Sequence, residues 1–497
     1  MRLPGGAGVT VSGELLDHDG EYYRVQTSAG PVTLRSQGVI CSGAGCPSGP
    51  VPVERLAFSG ARPIAEALLP QLLAAFAQAR GLTLVRRLDD PSHATYLLSD
   101  AGEQRRAEIA VRATSTAEGI ADLLAEEADI ALAVRPASAR EAAMLSEAGL
   151  GDLTRPAQSR ILGYDALAAV VAPENPLRVA ALGDLARVLE GTAFSWSALG
   201  GREAPIHLFL PPRRDGAEAV LPAPLSGPGR TPARPAAPAT RPAAAAELGA
   251  AVAADPLALG LIRLSAKGPA VPLALGGSCG AAVEPRSETL RSGDYPLTTV
   301  LRLYLPGRRL PLLARAFLAW SESAEAQAIV TSAGFVGLGL DPVPLGANGA
   351  RLAAAIRAAE GAAGLERLKG LLEKIAGGAR LPLALRFGED PGEPDPQARA
   401  GLRLLSAAIA AGRFDGQELL FVGFSDATGA PEADLTLSRE RAEAVHAAAE
   451  RTALQAGRER VAMRALGFGP FMPVACDDTA WGREINRRVE VWLVPQR

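Results

Sequence analysis

The sequence predicts a multidomain α/β protein, and three observations indicate this fold class. The chain has 497 residues, more than one hydrophobic core of ordinary size holds. Hydrophobic residues make up 48% of it, which is ample for several cores. Towards the C-terminus, strand-like runs alternate with helical patterns, which is typical of a compact layered domain of roughly one hundred residues.

Residues 1–52 predict a small β-rich module. The strand-like run at 21–27 alternates well, and Asp19-Gly20 and Ala29-Gly30 are turn dipeptides on either side of it. Cys41 and Cys46 follow in a Gly/Ser-rich loop, where their spacing fits a small disulfide ring. A metal site is the alternative, but no cluster of His and Cys accompanies the pair. The pairing of Cys279 and Cys476 cannot be predicted from their positions.

Charge and hydropathy exclude several classes of protein. The formal net charge of −3 gives no indication of nucleic acid or of an anionic membrane surface as a partner. No uninterrupted apolar stretch is long enough to span a bilayer. The four histidines (18, 93, 207 and 446) are scattered without metal-ligand spacing, and neither a G-x-S-x-G motif nor a Walker A loop occurs. We therefore expect no metal, no cofactor and no enzymatic activity, with Ser115 as the least unsuitable nucleophile.

The C-terminal part carries the most informative motifs. A strand-like run at 418–423 precedes GFSDATG (423–429), LSRERA (437–442) and GREINRRVE (482–490). Helical spacing predicts a helix over 435–455, and a strand is predicted over 461–466. In the last strand, Val489, Val491 and Leu493 alternate with three larger residues, which predicts a half-buried edge strand.

This ordered set of motifs closely resembles the OmpA-like peptidoglycan-binding family. The resemblance implies a βαβαβ domain over 381–497 that binds the diaminopimelate end of a stem peptide. Asp426 would face the ammonium of this ligand, and Arg441 would hold its carboxylate with two hydrogen bonds. The remaining positions assigned to the site are Gly423, Asp434, Ser438 and Arg488.

Some positions depart from the pattern of that family, and a simpler interpretation is open. Phe424 and Ser425 stand where His and Thr are more usual, and Asp434 stands where Asn is usual. The additional carboxylate of Asp434 would strengthen an ammonium contact or repel a carboxylate. In the simpler interpretation, Asp426 only closes a turn and Arg441 lies on a hydrated helix face.

The middle of the chain carries a second set of motifs. They are FSG (58–60), ADIA (128–131), DALA (165–168), WSALG (196–200), YPL (295–297) and GFV (334–336). In this order they resemble the PstS-like family of periplasmic substrate-binding proteins of phosphate ABC transporters. The resemblance implies two α/β lobes over 53–345 with a ligand cleft between them, and a transporter permease as partner.

An anion in that cleft would bind at helix N-termini, where free N–H groups favour negative charge. The residues assigned to it are Ser59, Gly60, Ser115, Thr116, Arg135 and Arg214. Phosphate binders of this type carry a motif close to R-x-D-G-S-G-T, whereas this chain has RRDGAEA (213–219), which lacks the Ser and the Thr and contains Glu218. The open alternatives are phosphate, another anion, a peptide-like ligand, and a lost site whose Ser and Thr residues only cap helices.

Two segments are expected to connect parts of the protein and not to bind a ligand. Residues 221–243 are rich in Pro and Ala and predict a mobile surface loop within the second lobe. Residues 346–380 predict a helical connector, with one coarse helix over 352–375.

Together, the two resemblances predict an envelope solute-binding protein anchored non-covalently to peptidoglycan. Its location would be the periplasm, near the cell wall and the outer membrane. Because no secretory signal precedes the motifs, we expect that a signal peptide was removed or that the start lies further upstream. The alternative function is an envelope interaction scaffold whose two-lobed domain has lost solute binding.

Overall fold

The computed structural model describes residues 10–18, 22–35, 39, 41–46, 53–212, 223–225, 237–242, 245–277, 279–359, 361–388, 394–457 and 461–495. It confirms a multidomain α/β protein with a small N-terminal sheet, a two-lobed central fold and a C-terminal α/β domain. Within the described residues, no helix combines the length and the apolar character that crossing a membrane requires.

The N-terminal module is an antiparallel meander. Its strands are β1 (Glu14–His18), β2 (Tyr22–Thr27) and β3 (Gly30–Arg35), paired in that order. Gly30 takes a φ of 112° at the β2–β3 turn, where a side chain would be strained. A disulfide between Cys41 and Cys46 closes a small ring after the sheet.

The central fold is built on one continuous sheet. The strands of the main sheet are β4 (Glu54–Ala61), β5 (Thr83–Asp90), β6 (His93–Ser99), β7 (Arg105–Thr114), β8 (Ile130–Ala133), β9 (Ser159–Val171), β11 (His207–Phe209), β12 (Ala258–Arg263), β13 (Val271–Pro272) and β15 (Thr298–Tyr304). A small second sheet pairs β10 (Val179–Ala181) with β14 (Ala274–Gly276). The main sheet runs β11-β12-β9-β15-β8-β4-β7-β6-β5, and β13 also pairs with β9.

Helices cover both parts of this sheet. They are α1 (Leu69–Ala79), preceded by a π-helical segment at Pro63–Leu68, then α2 (Thr116–Leu124), α3 (Ala139–Glu147), α4 (Leu182–Leu189), α5 (Ala245–Ala253), α6 (Ser287–Arg291), α7 (Leu312–Trp320) and α8 (Ala324–Ser332). Short 3₁₀ turns lie at Trp196–Leu199, Ala223–Leu225 and Leu264–Ala266.

Two separate cores define the two lobes. The first lobe buries residues of β4, β6, β7, α1 and α7, with Phe58 and Phe76 packed edge-on against Phe317. The second lobe buries residues of β9, β12 and α4, together with Trp196 of the 3₁₀ turn at Trp196–Leu199. Strand β9 runs from one lobe into the other, and twelve of its thirteen residues are buried. The lobes are therefore joined through the sheet itself.

The Pro/Ala-rich segment predicted as a mobile loop lies partly outside the described residues, as does Arg214. Its described parts pack on the second lobe. Leu225 is fully buried in that core. Thr240 exchanges backbone hydrogen bonds with Leu208 and Leu210.

The C-terminal domain is a second, smaller sheet with helices on both faces. Its strands are β16 (Val343–Pro344), β17 (Ala379–Arg386), β18 (Glu418–Phe424), β19 (Ala462–Gly467) and β20 (Arg488–Val494), in the order β16-β17-β20-β18-β19. Its helices are α9 (Gly349–Ala358), α10 (Gly361–Ile375), α11 (Pro396–Ala410), α12 (Pro431–Gln455) and α13 (Ala480–Asn486), and a further 3₁₀ turn lies at Leu345–Asn348.

Two expectations for this domain were wrong. The helix expected over 352–375 is two helices, α9 and α10, and both pack on the sheet beside Trp492 instead of only connecting domains. The last strand, β20, is not a half-buried edge but lies between β17 and β18. Helices α11 and α12 cover one face of the sheet, and α9 and α10 cover the other. Both faces of β20 are therefore covered, and its residues Arg488 and Glu490 are fully buried.

The C-terminal domain is fastened to both lobes. Arg403 on α11 lies 2.8 Å from Glu322 of the first lobe. Arg386 on β17 donates to the backbone oxygen of Ser292 in the second lobe at 2.8 Å. A disulfide between Cys279 and Cys476 joins the second lobe covalently to the C-terminal domain.

Candidate functional site

The motifs of the C-terminal domain converge on one buried cluster of charges. Asp426 follows β18, Asp434 and Arg441 lie on α12, and Asp477 and Arg487 flank α13. Asp426, Asp434 and Arg441 are 7%, 5% and 1% exposed. The cluster therefore contains three carboxylates and two guanidinium groups, so the side chains do not diverge into bulk water.

Arg441 is held in this cluster without hydrogen bonds from two of its nitrogens. Its Nε and Nη1 atoms are buried and have no hydrogen-bond partner among the described residues. Its guanidinium lies 5.8 Å from the centre of the Phe387 ring. Burial lowers the pKa of Arg441 and the charge of Arg487 adds to this, whereas Asp426 and Asp434 oppose it. A buried guanidinium with unused donors is suited to binding a carboxylate.

The acidic side of the cluster is only partly neutralised. Arg487 Nη1 donates to Asp426 Oδ2 at 3.0 Å. Burial raises the pKa of Asp434, and the negative charges of Asp426 and Asp477 add to the increase, while the Gly429 N–H and Arg441 act against it. A positively charged ligand would relieve this repulsion between carboxylates.

The loop after β18 is held from the opposite side. Asp477 Oδ2 accepts the Ala427 N–H at 2.9 Å, and Asp477 Oδ1 accepts a hydrogen bond from Asn486 Nδ2 at 2.9 Å. Asn486 Oδ1 in turn accepts the N–H of Val474 at 2.8 Å. These contacts fix the position of Asp426 through the backbone of its own loop.

Gly423 and Ser438 shape the site without lying at its surface. A Cβ atom at Gly423 would lie 1.9 Å from the backbone oxygen of Ser438, so only glycine lets α12 approach β18 this closely. Ser438 is fully buried and accepts the Gly469 N–H at 2.9 Å. Both residues set the distance between strand and helix.

The structure does not place Arg488 in the cluster. Consecutive side chains of a strand point to opposite faces, and Arg488 faces α9 and α10. Its guanidinium lies 4.3 Å from the centre of the Phe424 ring, and its Nε donates to Glu490 at 2.8 Å. The neighbouring Arg487 contacts Asp426 instead. The motif contained both arginines, but it did not reveal which face of the sheet each one takes.

Asp477, Asn486 and Arg487 were not predicted as site residues. Asn486 and Arg487 lie inside the motif at 482–490, so their proximity in sequence was visible. Asp477 lies outside all three motifs, and its role depends on how α13 folds back towards Ala427. That contact joins residues fifty positions apart, which no local pattern predicts.

In the central fold, four of the side chains predicted to bind an anion, those of Ser59, Ser115, Thr116 and Arg135, have hydrogen-bond partners within the described protein. Ser59 Oγ, at the end of β4, donates to Asp122 Oδ2 at 2.5 Å. Arg112 Nη1 donates to the same carboxylate at 2.6 Å. Gly60 has a φ of 134°, and a Cβ there would lie 2.2 Å from the Leu132 oxygen, which makes it a packing residue.

Ser115 and Thr116 act at the start of α2. Ser115 accepts the Glu118 N–H at 3.2 Å, and the Glu118 carboxylate accepts the Ser115 N–H at 3.1 Å, which forms a capping box. Thr116 Oγ1 accepts the Val134 N–H at 3.1 Å. The hydroxyls at this helix N-terminus are therefore engaged, and Glu118 places negative charge beside them.

Arg135 is also engaged within the protein. Its Nη2 and Nη1 atoms donate to the two carboxylate oxygens of Glu141 at 2.7 and 2.8 Å. The hydrogen bonds that Arg135 donates to Glu141 raise the pKa of Arg135 and outweigh burial, which opposes its protonation. The same pair lowers the pKa of Glu141 to about 2.

Comparison with known proteins assigns a family to the central fold and relatives to the C-terminal part. Residues 51–325, more than half of the chain, match the family model described as the PBP superfamily domain. The chain is similar to an ABC-type phosphate transport receptor from Vibrio cholerae, with 17% sequence identity, a TM-score of 0.44, and coverage of 57% of this chain and all of that chain.

Two further relatives are named as lipoproteins. The chain is 38% identical over 74 residues to the probable lipoprotein YiaD of Escherichia coli (strain K12), which is 15% of this chain and 32% of that protein. The chain thus spans about a third of the length of this curated relative. It is also similar to the peptidoglycan-associated lipoprotein of Burkholderia pseudomallei, with 25% identity, a TM-score of 0.20, and coverage of 22% of this chain and 89% of that one. Since the family model covers most of both lobes, the chain belongs to the PBP superfamily.

Proposed function

We propose that this protein is an envelope binding protein held non-covalently at peptidoglycan by its C-terminal domain. The observation that carries the proposal is the buried guanidinium of Arg441, whose Nε and Nη1 atoms have no partner in the described part of the chain. Asp426 and Asp434 influence the same guanidinium electrostatically. Burying a cation with unused donors is costly unless a ligand completes its hydrogen bonds.

The ligand that fits this arrangement carries a carboxylate and an ammonium close together. The diaminopimelate end of a stem peptide has both groups on one carbon. Its carboxylate would accept hydrogen bonds from Arg441, and its ammonium would lie between Asp426 and Asp434. Because the cluster holds three acids and two bases, the ammonium also reduces repulsion among the acids.

The role of Asp434 follows from the same charges. Without a ligand, burial and the neighbouring acids raise the pKa of Asp434. An ammonium beside it would stabilise the ionised form and lower that pKa again. The Asp that replaces the usual Asn is thus suited to the ammonium contact and not to the carboxylate contact.

Equilibrium binding of the full chain to purified sacculi tests the anchor. We expect Arg441→Ala and Asp426→Ala to weaken binding by roughly tenfold to a hundredfold, as expected for the loss of a charge-assisted hydrogen bond. The matched control is Arg451→Ala, which removes an exposed arginine from the same helix, α12. Unchanged binding by both site variants would show that the cluster is only structural.

For the two-lobed domain, we keep capture of phosphate or another small anion between the lobes as the proposal. Membership of the PBP superfamily supports solute capture. An oxyanion at the assigned residues would have to displace Asp122 from Ser59 and compete with Glu118 at the start of α2. A transporter permease is the partner that such capture implies.

A second candidate is an interaction scaffold near the cell wall. The engagement of Ser59, Ser115, Thr116 and Arg135 within the protein favours it. Thermal unfolding with phosphate and other oxyanions separates the candidates, because a ligand that binds the native state raises its stability. If stabilisation occurs and is lost in Ser59→Ala, the solute-binding proposal gains support. If no oxyanion stabilises the protein, the scaffold is favoured.

In both cases we propose a binding function and not catalysis, with the periplasm at the peptidoglycan and outer membrane as the location. The family is one of binding proteins. Ser115, the only nucleophile considered from the sequence, donates to Glu118 at 3.1 Å. Turnover of simple phosphate esters that disappears in Ser115→Ala would contradict this proposal.

A further inference from the structure

A second buried site lies between the second lobe and the C-terminal domain. A cavity of about 210 Å³ separates them. Four buried or half-buried charged residues line it: Asp294 after α6, Glu288 on α6, Arg351 on α9 and Arg380 on β17. These residues come from both domains, and the cavity is distinct from the cluster around Arg441 and from the ends of β4 and α2.

The charged groups around this cavity form one network. Arg380 Nη1 donates to Asp294 Oδ2 at 2.8 Å across the domain boundary. Glu490 Oε1 accepts hydrogen bonds from Arg351 Nη2 at 2.6 Å and from Arg488 Nε at 2.8 Å. Arg380 Nε also lies 3.5 Å from Glu490 Oε2.

This network carries one more positive charge than negative charges. Burial opposes ionisation of Asp294, but Arg380 and Arg351 outweigh it and lower its pKa to about 2. Burial lowers the pKa of Arg488 only to about 10, while the pKa of Glu490 is lowered well below its usual value. The network thus contains three arginines and two acids. An uncompensated buried cation is unfavourable without a counter-ion.

Several polar atoms of the network are buried and unused. Arg380 is 5% exposed, and its Nη2 atom has no hydrogen-bond partner among the described residues, whereas its Nε faces Glu490 Oε2 at 3.5 Å. Arg351 Nη1 likewise has no hydrogen-bond partner among the described residues. Both arginines line the cavity, so an anion there could accept hydrogen bonds from two guanidinium groups, which is a strong arrangement for a planar or tetrahedral oxyanion.

An unused acceptor narrows the chemistry of the ligand. Asp294 Oδ1 also lacks a hydrogen-bond partner in the described structure, and Asp294 lines the cavity. A ligand that satisfies both kinds of atom has anionic oxygens for the arginines and a hydroxyl hydrogen for Asp294. At the rim, Glu284 is paired with Arg286, and Glu288 adds a negative charge. An anion of low charge therefore fits better than a polyanion.

We propose that this cavity binds a small oxyanion that carries a hydroxyl group, either hydrogen phosphate or an α-hydroxy carboxylate. The ligand bridges Arg351 and Arg380 and donates its hydroxyl hydrogen to Asp294. The cavity of about 210 Å³ has room for an anion of this size. Because the walls come from two domains, the ligand stabilises the contact between the second lobe and the C-terminal domain.

Calorimetric binding and thermal unfolding of the full chain test this site with four probes at matched ionic strength. Phosphate and glycolate carry an oxyanion and a hydroxyl, whereas sulfate and acetate have the oxyanion alone at neutral pH. We expect phosphate, glycolate or both to stabilise the protein, and we expect sulfate and acetate to have little effect. Whichever of phosphate and glycolate binds more tightly shows whether the ligand is hydrogen phosphate or an α-hydroxy carboxylate. Equal stabilisation by all four probes would overturn the proposed recognition of a hydroxyl.

Two variants of α9 localise the binding. Arg351→Gln should weaken binding by roughly tenfold to a hundredfold, because it removes a charge-assisted contact. Arg357→Gln is the matched control, since it removes an exposed arginine from the same helix. If Arg351→Gln does not fold, Arg351→Lys keeps a cation near Glu490 but loses the fork of the guanidinium and should still bind more weakly.

Three results would overturn the proposal. They are the absence of specific stabilisation by any probe, undiminished binding in both Arg351 variants, and binding that is lost in Ser59→Ala but retained in Arg351→Gln. The last result would place the ion between the lobes, which distinguishes this cavity from the solute site proposed above. Sacculus binding by the Arg441 cluster is measured separately and does not depend on any of these outcomes.

Discussion

Asp294→Asn is the perturbation that tests how the C-terminal domain is held on the second lobe. Asp294 is 3% exposed and accepts a hydrogen bond from Arg380 of β17 at 2.8 Å. The substitution keeps the shape of the side chain and removes its charge. The buried network around Glu490 would then hold three arginines against a single acid.

The magnitude follows from the pKa of the carboxyl group. Although burial alone would raise it, Arg380 and Arg351 lower the pKa of Asp294 from 3.8 to about 2. At about 1.4 kcal/mol per pH unit, this shift corresponds to roughly 2 kcal/mol of stability. Since the folded pKa lies below the unfolded one, this contribution is fully present above about pH 4 and is lost as the pH falls towards about 2.

The assay is urea unfolding of the full chain from pH 7 down to the lowest pH at which it folds. Buffers should lack phosphate and hydroxy acids, which would bind the proposed cavity. At pH 7, we expect Asp294→Asn to lower the free energy of unfolding by about 2 kcal/mol or more. The difference from the unsubstituted protein should shrink below about pH 4. The control is Asp478→Asn, which replaces an exposed carboxylate of the C-terminal domain.

Two results would refute this reasoning. A cost that is the same at pH 3 as at pH 7 would mean that ionisation of Asp294 does not matter. A cost below about 0.5 kcal/mol at pH 7 would mean that the ion pair with Arg380 contributes no net stability, as happens when desolvation cancels attraction.

Three further predictions concern the C-terminal domain and its attachment. Asp434→Asn should stabilise the ligand-free protein at pH 7 and change nothing below the unfolded pKa, because the raised pKa makes the ionised form unfavourable in the folded state; urea unfolding at both pH values measures this. Replacing Cys279 and Cys476 by Ser should cost about 3 kcal/mol or more in thermal or urea unfolding, because this disulfide closes a loop of 197 residues. Gly423→Ala should destabilise the protein by about 2 kcal/mol or more, since its Cβ would lie 1.9 Å from the Ser438 oxygen.

Each of these predictions has a matched control. Glu432→Gln removes an exposed acid from the same first turn of α12 and should leave the stability at pH 7 nearly unchanged. Replacing Cys41 and Cys46, which close a ring of five-residue separation, should cost less than replacing the other pair. Gly370→Ala places a Cβ in open space within α10 and should be neutral or stabilising. If a control equals its test variant, the stated mechanism is wrong.

The sequence alone determined the fold class and the families that the chain resembles. Both depend on local patterns, such as turn dipeptides, helical spacing and ordered motifs. Such patterns can be recognised in the sequence without the three-dimensional structure. The motif GFSDATG identified Asp426 as a candidate binding residue, and the motif LSRERA identified Arg441. The helix expected over 435–455 is present as Pro431–Gln455, because its apolar spacing is a property of the chain itself.

The tertiary structure decided which partner each charged residue has. Arg487, which precedes β20, and Arg488, which begins it, are chemically identical, yet one contacts Asp426 and the other Glu490, because their side chains point to opposite sides. From the sequence, Ser59 was expected to be available to an oxyanion. In the fold, α2 places Asp122 Oδ2 2.5 Å from the Ser59 hydroxyl, which donates to it.

The burial of β20 was decided in the same way. Its alternation of apolar and charged residues predicts an exposed face only if nothing covers that face, and α9 and α10 cover it. The contacts between Asp294 and Arg380 and between Cys279 and Cys476 join residues 86 and 197 positions apart. Periodicity and motif spacing carry no information on such pairs, because the distance between two remote residues is set only when the domains pack.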